Sequence, residues 1–120
     1  MPINELKLAK ELIRKPSITP KDAGAINLLA KNLRSIGFNC KIINFKNVKN
    51  LYAKLGKSSP NFCYAGHTDV VPPGNIKNWI TNPFKPIVKN NSKLMNFFFF
   101  IFKLKIIVFP SEFRWGRYFS

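Results

Sequence analysis

The stretch Phe62-Cys63-Tyr64-Ala65-Gly66-His67-Thr68-Asp69-Val70-Val71-Pro72-Pro73-Gly74 decides how this chain is read. Phe62 to Ala65 is a compact apolar run. A polar turn, Gly56 to Asn61, precedes it and Gly66 closes it. That pattern predicts a short buried strand. Residues 67–86, rich in proline and glycine, follow as a loop. His67, the only histidine, therefore stands just past a strand's C-terminal end. In open α/β sheets functional groups gather at that place. Alternate residues near a strand end face the same way, so His67 and Asp69 share a side. A neutral imidazole is a good zinc ligand, and a carboxylate two residues on can hold its ring. Gly66 lets the backbone approach closely, and Pro72 and Pro73 stiffen the loop. Taken alone, the His-x-Asp spacing is a weak signal. A lone histidine is more often an ordinary polar residue than a ligand, and zinc takes three or four ligands.

Upstream, the apolar period is helical. Leu6, Ala9, Leu12 and Ile13 share one side of a helix spanning residues 3–14. Pro16 ends it, because the residue before a proline avoids helical geometry. Lys15 to Pro20 is a loop. A second helix starts near Asp22, whose carboxylate can cap free backbone N–H groups. Its apolar positions are Ile26, Leu29, Ala30, Leu33 and Ile36, and Gly37 sits where a C-terminal glycine belongs. The period then changes to that of strands, at Phe38 to Phe45 and at Asn50 to Leu55. Helix, helix, strand, strand and buried strand make the opening of an α/β domain.

The composition bounds the partners. One hundred and twenty residues is one small domain, and a 46% hydrophobic share is ordinary. Twenty Lys and Arg against five Asp and Glu give a formal charge of +15. Such a balance often goes with nucleic acid or anionic membrane. Here the cations are mostly lysines scattered among Asn, Ile and Phe, residues that A/T-rich codons specify. No long basic block occurs, so no nucleic-acid partner is expected. Cys40 and Cys63 lie far apart in apolar runs and read as structural thiols of a reducing cytoplasm. Glu5 and Glu11 in the first helical pattern argue against a signal peptide. No uncharged apolar run reaches membrane-spanning length, and Lys103 and Lys105 interrupt the nearest candidate, Leu94 to Phe109.

From about residue 94 the character changes. Eight of the twelve phenylalanines fall between Phe97 and Phe119, at neither helical nor alternating spacing. Arg114, Trp115, Arg117 and Tyr118 mix cations with aromatics, as some nucleic-acid binders do. Residues 95–120 are expected to be an aberrant, disordered or badly packed tail. A frameshift in A/T-rich DNA explains that composition most economically; a genuine alternative C-terminus is the other reading.

Gly66-His67-Thr68-Asp69-Val70-Val71-Pro72-Pro73-Gly74, with Trp79 and Pro83-Phe84 beyond it, resembles the first metal motif of the zinc aminoacylase/carboxypeptidase superfamily. Within that superfamily the match is to the succinyl-diaminopimelate desuccinylase family. Arg14-Lys15-Pro16-Ser17, Thr19-Pro20, Asp22-Ala23-Gly24, Ile36-Gly37-Phe38 and Asn50-Leu51-Tyr52-Ala53 agree with it in order. The resemblance covers about residues 3–94. It implies the N-terminal part of a zinc-peptidase-like αβα catalytic domain, residues 1–94. His67 would match the first zinc ligand. Asp69 would match the catalytic-site carboxylate that supports this ligand and tunes the metal centre. The implied cofactor is a pair of zinc ions, with cobalt as a substitute. The implied reaction is hydrolysis of N-succinyl-LL-2,6-diaminopimelate to succinate and LL-diaminopimelate.

The pattern then breaks. The family's next glycine-rich segment carries an Asp that bridges both metals. Here Met95-Asn96-Phe97 follows Lys93-Leu94, and no Asp occurs after Asp69. The Glu-Glu pair and the distal His are absent too; Glu112 is the only later acid. At most one zinc ligand survives, so the chain is expected to be inactive alone. The family's lid domain, which usually forms the dimer, is expected to be missing from it. The competing class is a small basic interaction protein whose hydrophobic tail contacts a membrane or partner.

Overall fold

The computed structural model describes residues 2–58, 61–89, 93–95 and 105–109. The aromatic and basic residues 110–120 and the Phe97–Phe102 run lie outside these. Two helices come first, α1 (Glu5–Ile13) and α2 (Ala25–Ser35). Asn4 caps α1, its side-chain oxygen accepting from the Lys7 N–H at 2.8 Å. Glu5 in the first turn and Lys10 in the last suit the helix dipole. The helix buries Leu12 and Ile13 but leaves Leu6 49% exposed. The apolar stripe read from the sequence is thus covered only at its C-terminal end.

Asp22 does serve α2, from further back than a usual cap. The helix begins at Ala25, with Gly24 at its cap position in a left-handed conformation (φ 84°). Asp22 reaches past it, Oδ2 accepting from the Gly24 N–H at 3.0 Å and Oδ1 from the Ile26 N–H at 2.9 Å. Lys49 lies 3.4 Å from the same carboxylate. At the other end, Phe38 N–H donates to the Leu33 carbonyl and Gly37 N–H to that of Arg34, with Gly37 at φ 93°. That is the Schellman closure, and it needs a residue tolerant of positive φ at Gly37.

Strands β1 (Asn39–Phe45) and β2 (Val48–Lys54) form an antiparallel hairpin whose register runs from Phe45 opposite Val48 to Asn39 opposite Lys54. Cys40, Ile42, Lys49, Leu51 and Ala53 are its half-buried positions, and α2 packs against this hairpin. The Arg34 guanidinium donates to the Cys40 carbonyl at 3.1 Å. Ile43, Phe45, Val48 and Tyr52 are exposed.

Strand β3 (Asn61–Ala65) pairs antiparallel with β6 (Lys105–Phe109), and β4 (Ile87–Lys89) with β5 (Lys93–Met95). The described strands thus form three separate two-stranded antiparallel ladders. The structure is a small mixed α and β arrangement. One expectation is corrected here. β3 is not buried: Phe62 is 58% and Tyr64 62% exposed, their rings meeting edge to face at 5.0 Å. An apolar run specifies a strand but not what covers it.

The best-buried residues lie elsewhere. Leu12, Ile13, Ser17, Val70 and Pro83 are buried, and with Lys15 and Phe84 they line one small cavity. Ala25, Ile26 and Ala30 bury the inner side of α2. The core therefore comprises the inner side of α2 and the place where the end of α1 and the α1–α2 loop meet the segment after β3.

Candidate metal-site motif

Two chain segments about fifty residues apart build the site. One is the loop Pro16–Pro20; the other runs from Gly66 to Val70. They are joined as a short parallel bridge between Ile18 and Val70. The Val70 N–H donates to the Ser17 carbonyl at 2.8 Å, and the Thr19 N–H to the Val70 carbonyl at 2.9 Å. Side chains reinforce the backbone. Ser17, only 2% exposed, donates its hydroxyl to the Thr68 carbonyl at 2.7 Å. The post-strand loop is thereby held against the helical layer.

His67 follows the last residue of β3 by two positions and is exposed. Its Nδ1 lies 2.9 Å from the Asp69 carbonyl oxygen and 3.1 Å from Asp69 Oδ1. A carbonyl and an ionised carboxylate only accept hydrogen bonds, so Nδ1 carries the proton. In the neutral ring Nε2 then keeps its lone pair, and no described residue hydrogen-bonds to it. Asp69 uses its second oxygen as well: Oδ2 accepts from the Thr19 hydroxyl at 2.7 Å. The expected His67–Asp69 pairing is present, at a strand terminus, with the ring outside any apolar interior.

Other expected residues have more modest places. The Trp79 indole N–H donates to the Pro73 carbonyl at 2.8 Å and closes the loop around the short helical turn Ile76–Asn78. Phe84 lines the small cavity beside Ile13 and Pro83. The reading of Gly66 as a point of close backbone approach is not met: a Cβ there would touch nothing within 4 Å. Ser17 and Thr19 stood in the sequence only as points of agreement with the family, and their contacts to Thr68 and Asp69 were not foreseen. Their signal was the Ser-x-Thr-Pro segment itself, hydroxyls in a loop with no local partner.

The donor set does not fit a metal centre. Among the described residues no three His, Cys, Asp or Glu come together around one point. His67 presents one open nitrogen, and Asp69 spends its oxygens on His67 and Thr19. One imidazole does not hold zinc.

No family model matches the chain. Individual relatives do. A succinyl-diaminopimelate desuccinylase of Pelagibacter ubique is 61% identical over 93 residues, 73% of this chain and 24% of the relative. This chain carries a segment homologous to succinyl-diaminopimelate desuccinylase. The desuccinylase of Wolbachia pipientis from Culex pipiens is 53% identical over 91 residues, 75% of this chain and 23% of its own length. That of Ehrlichia canis is 48% identical over 95 residues, 76% and 25% respectively. The chain thus spans about a quarter of the desuccinylases it matches. No described helix is long and apolar enough to cross a membrane.

Proposed function

We propose that residues 1–94 are the N-terminal part of a desuccinylase catalytic domain of the zinc-peptidase αβα type. The intact enzyme would hydrolyse N-succinyl-LL-2,6-diaminopimelate, a small-molecule substrate, to succinate and LL-diaminopimelate in the cytoplasm. The observation that carries this reading is the combination of 61% identity with the His67–Asp69 pair at the end of β3. His67 would be the first zinc ligand and Asp69 the carboxylate that fixes its ring. This chain's own contribution is to present Nε2 of a ring whose other nitrogen is already engaged.

Hydrolysis needs further donors, and the segment that should bring the next one is replaced by Met95-Asn96-Phe97. The chain by itself is therefore a non-catalytic piece of the enzyme. Residues 95–120 are an out-of-frame sequence. The coding DNA tests this. A glycine-rich segment with Asp-Met-Lys, and then Glu-Glu, should follow Leu94 in one of the other two frames. Open reading without those residues would reject the proposal.

A further inference from the structure

We infer that Thr19 is a positioning residue for the His67–Asp69 pair: its hydroxyl fixes the Asp69 carboxylate so that Oδ1 faces the imidazole. The geometry behind this is a three-member chain. Thr19 Oγ1 is 2.7 Å from Asp69 Oδ2, and Asp69 Oδ1 is 3.1 Å from His67 Nδ1. The carboxylate bridges the two, one oxygen to each. Asp69 sits on an exposed loop with its side chain 41% accessible. Nothing else described binds Oδ2, so without Thr19 the carboxylate is left to turn towards water.

The hydroxyl is not what joins the two segments. Thr19 N–H to Val70, Val70 N–H to Ser17, and Ser17 Oγ to Thr68 hold the loops whether or not residue 19 has a hydroxyl. Thr19 Oγ1 is also 3.2 Å from the Val70 carbonyl, a longer contact that the backbone bonds duplicate. Thr19 Oγ1 thus has one partner the fold does not otherwise secure, the carboxylate. The Asp69 carbonyl at 2.9 Å keeps Nδ1–H as the proton-bearing nitrogen in any case. Thr19 therefore acts on how strongly the carboxylate shares that proton, not on which nitrogen bears it.

The inference stands on hydrogen bonds alone and needs no metal, so its failure would leave the proposed descent from a desuccinylase untouched. The single histidine makes its test direct, because every ring signal belongs to His67. In the full 15N-labelled chain, the two ring nitrogen shifts are read through the carbon-bound ring protons while the ring is neutral. Asp69→Asn sets the shift change for losing the carboxylate. Thr19→Val should move Nδ1 at least half as far in the same direction, and Thr19→Ser should restore the parent value. Amide dispersion reports whether each variant folds; Thr19→Ala substitutes for the valine variant if that one does not. Nδ1 shifts identical in parent and Thr19→Val or Thr19→Ala, while Asp69→Asn moves them, would overturn the inference. So would a silent Asp69→Asn, since the carboxylate would then not be the ring's partner.

Discussion

The Ser17 hydroxyl stands 2.7 Å from the Thr68 carbonyl, across 51 positions of sequence, and Ser17 is almost wholly buried. This bond is the side-chain lock on the loop that carries His67. Ser17→Ala removes the donor, leaving a part-buried carbonyl short of a partner. A loss of about 1–2 kcal/mol follows from the usual cost of such a deletion. Urea titration of the two chains measures it, and amide exchange at Val70 should speed up in parallel. An unchanged midpoint would mean that water replaces the hydroxyl without cost.

Both helices were legible because each has a local cause. Apolar spacing placed α1 and α2, and Gly37 marked the end of the second. Strands β1 and β2 were legible from the change of period, although β2 starts at Val48, two residues before the expected Asn50, and their antiparallel pairing was not read from the sequence. What escaped was long-range. The run Phe62–Ala65 specifies a strand, but its cover depends on elements that pack on it from elsewhere in the chain, and Phe62 and Tyr64 remain exposed. His67 and Asp69 were found because they stand only two positions apart. The contacts of Ser17 and Thr19 were not, because their partners are fifty residues away and a loop hydroxyl has no period.

Gly37 closes α2 at φ 93°, with the Leu55 side chain 3.6 Å from where a Cβ would stand. That distance is ordinary van der Waals contact, so the cost of Gly37→Ala comes from the backbone. About 1–2 kcal/mol is expected. Gly37→Asn should lose less, because asparagine tolerates this conformation better. Thermal melts of both variants check the ranking; equal losses would point to packing against Leu55 instead.

Ile13 is 4% exposed and lines the small cavity with Leu12, Val70 and Pro83. Ile13→Ala should cost about 2–5 kcal/mol, the range for emptying a packed site. For a small domain, that is a large part of the total. Ile80 gives the control, being 98% exposed: Ile80→Asp should stay within about 0.5 kcal/mol of the parent. If both variants melt alike, the core does not lie where α1 meets the segment after β3.

With one imidazole and no cluster of donors among the described residues, added zinc should not make this chain an enzyme. Incubation with zinc and N-succinyl-LL-2,6-diaminopimelate should release no succinate above the protein-free rate. His67→Ala should leave that null result unchanged. Turnover that needs zinc and vanishes in His67→Ala would show that the chain assembles further ligands, for instance between copies.

Phe62 and Tyr64 project from alternate positions of β3, 58% and 62% exposed, and their rings touch only each other among the aromatic contacts of the described residues. Apolar surface of this kind on a strand ladder invites association with other chains. Replacing both with threonine keeps a residue that suits strands and removes two large apolar side chains. Light scattering of the purified chain should fall sharply in Phe62→Thr/Tyr64→Thr, while the midpoint of unfolding shifts little, because neither ring is part of the core. A fall in stability comparable to that of Ile13→Ala would instead show that the ring pair holds β3 in place.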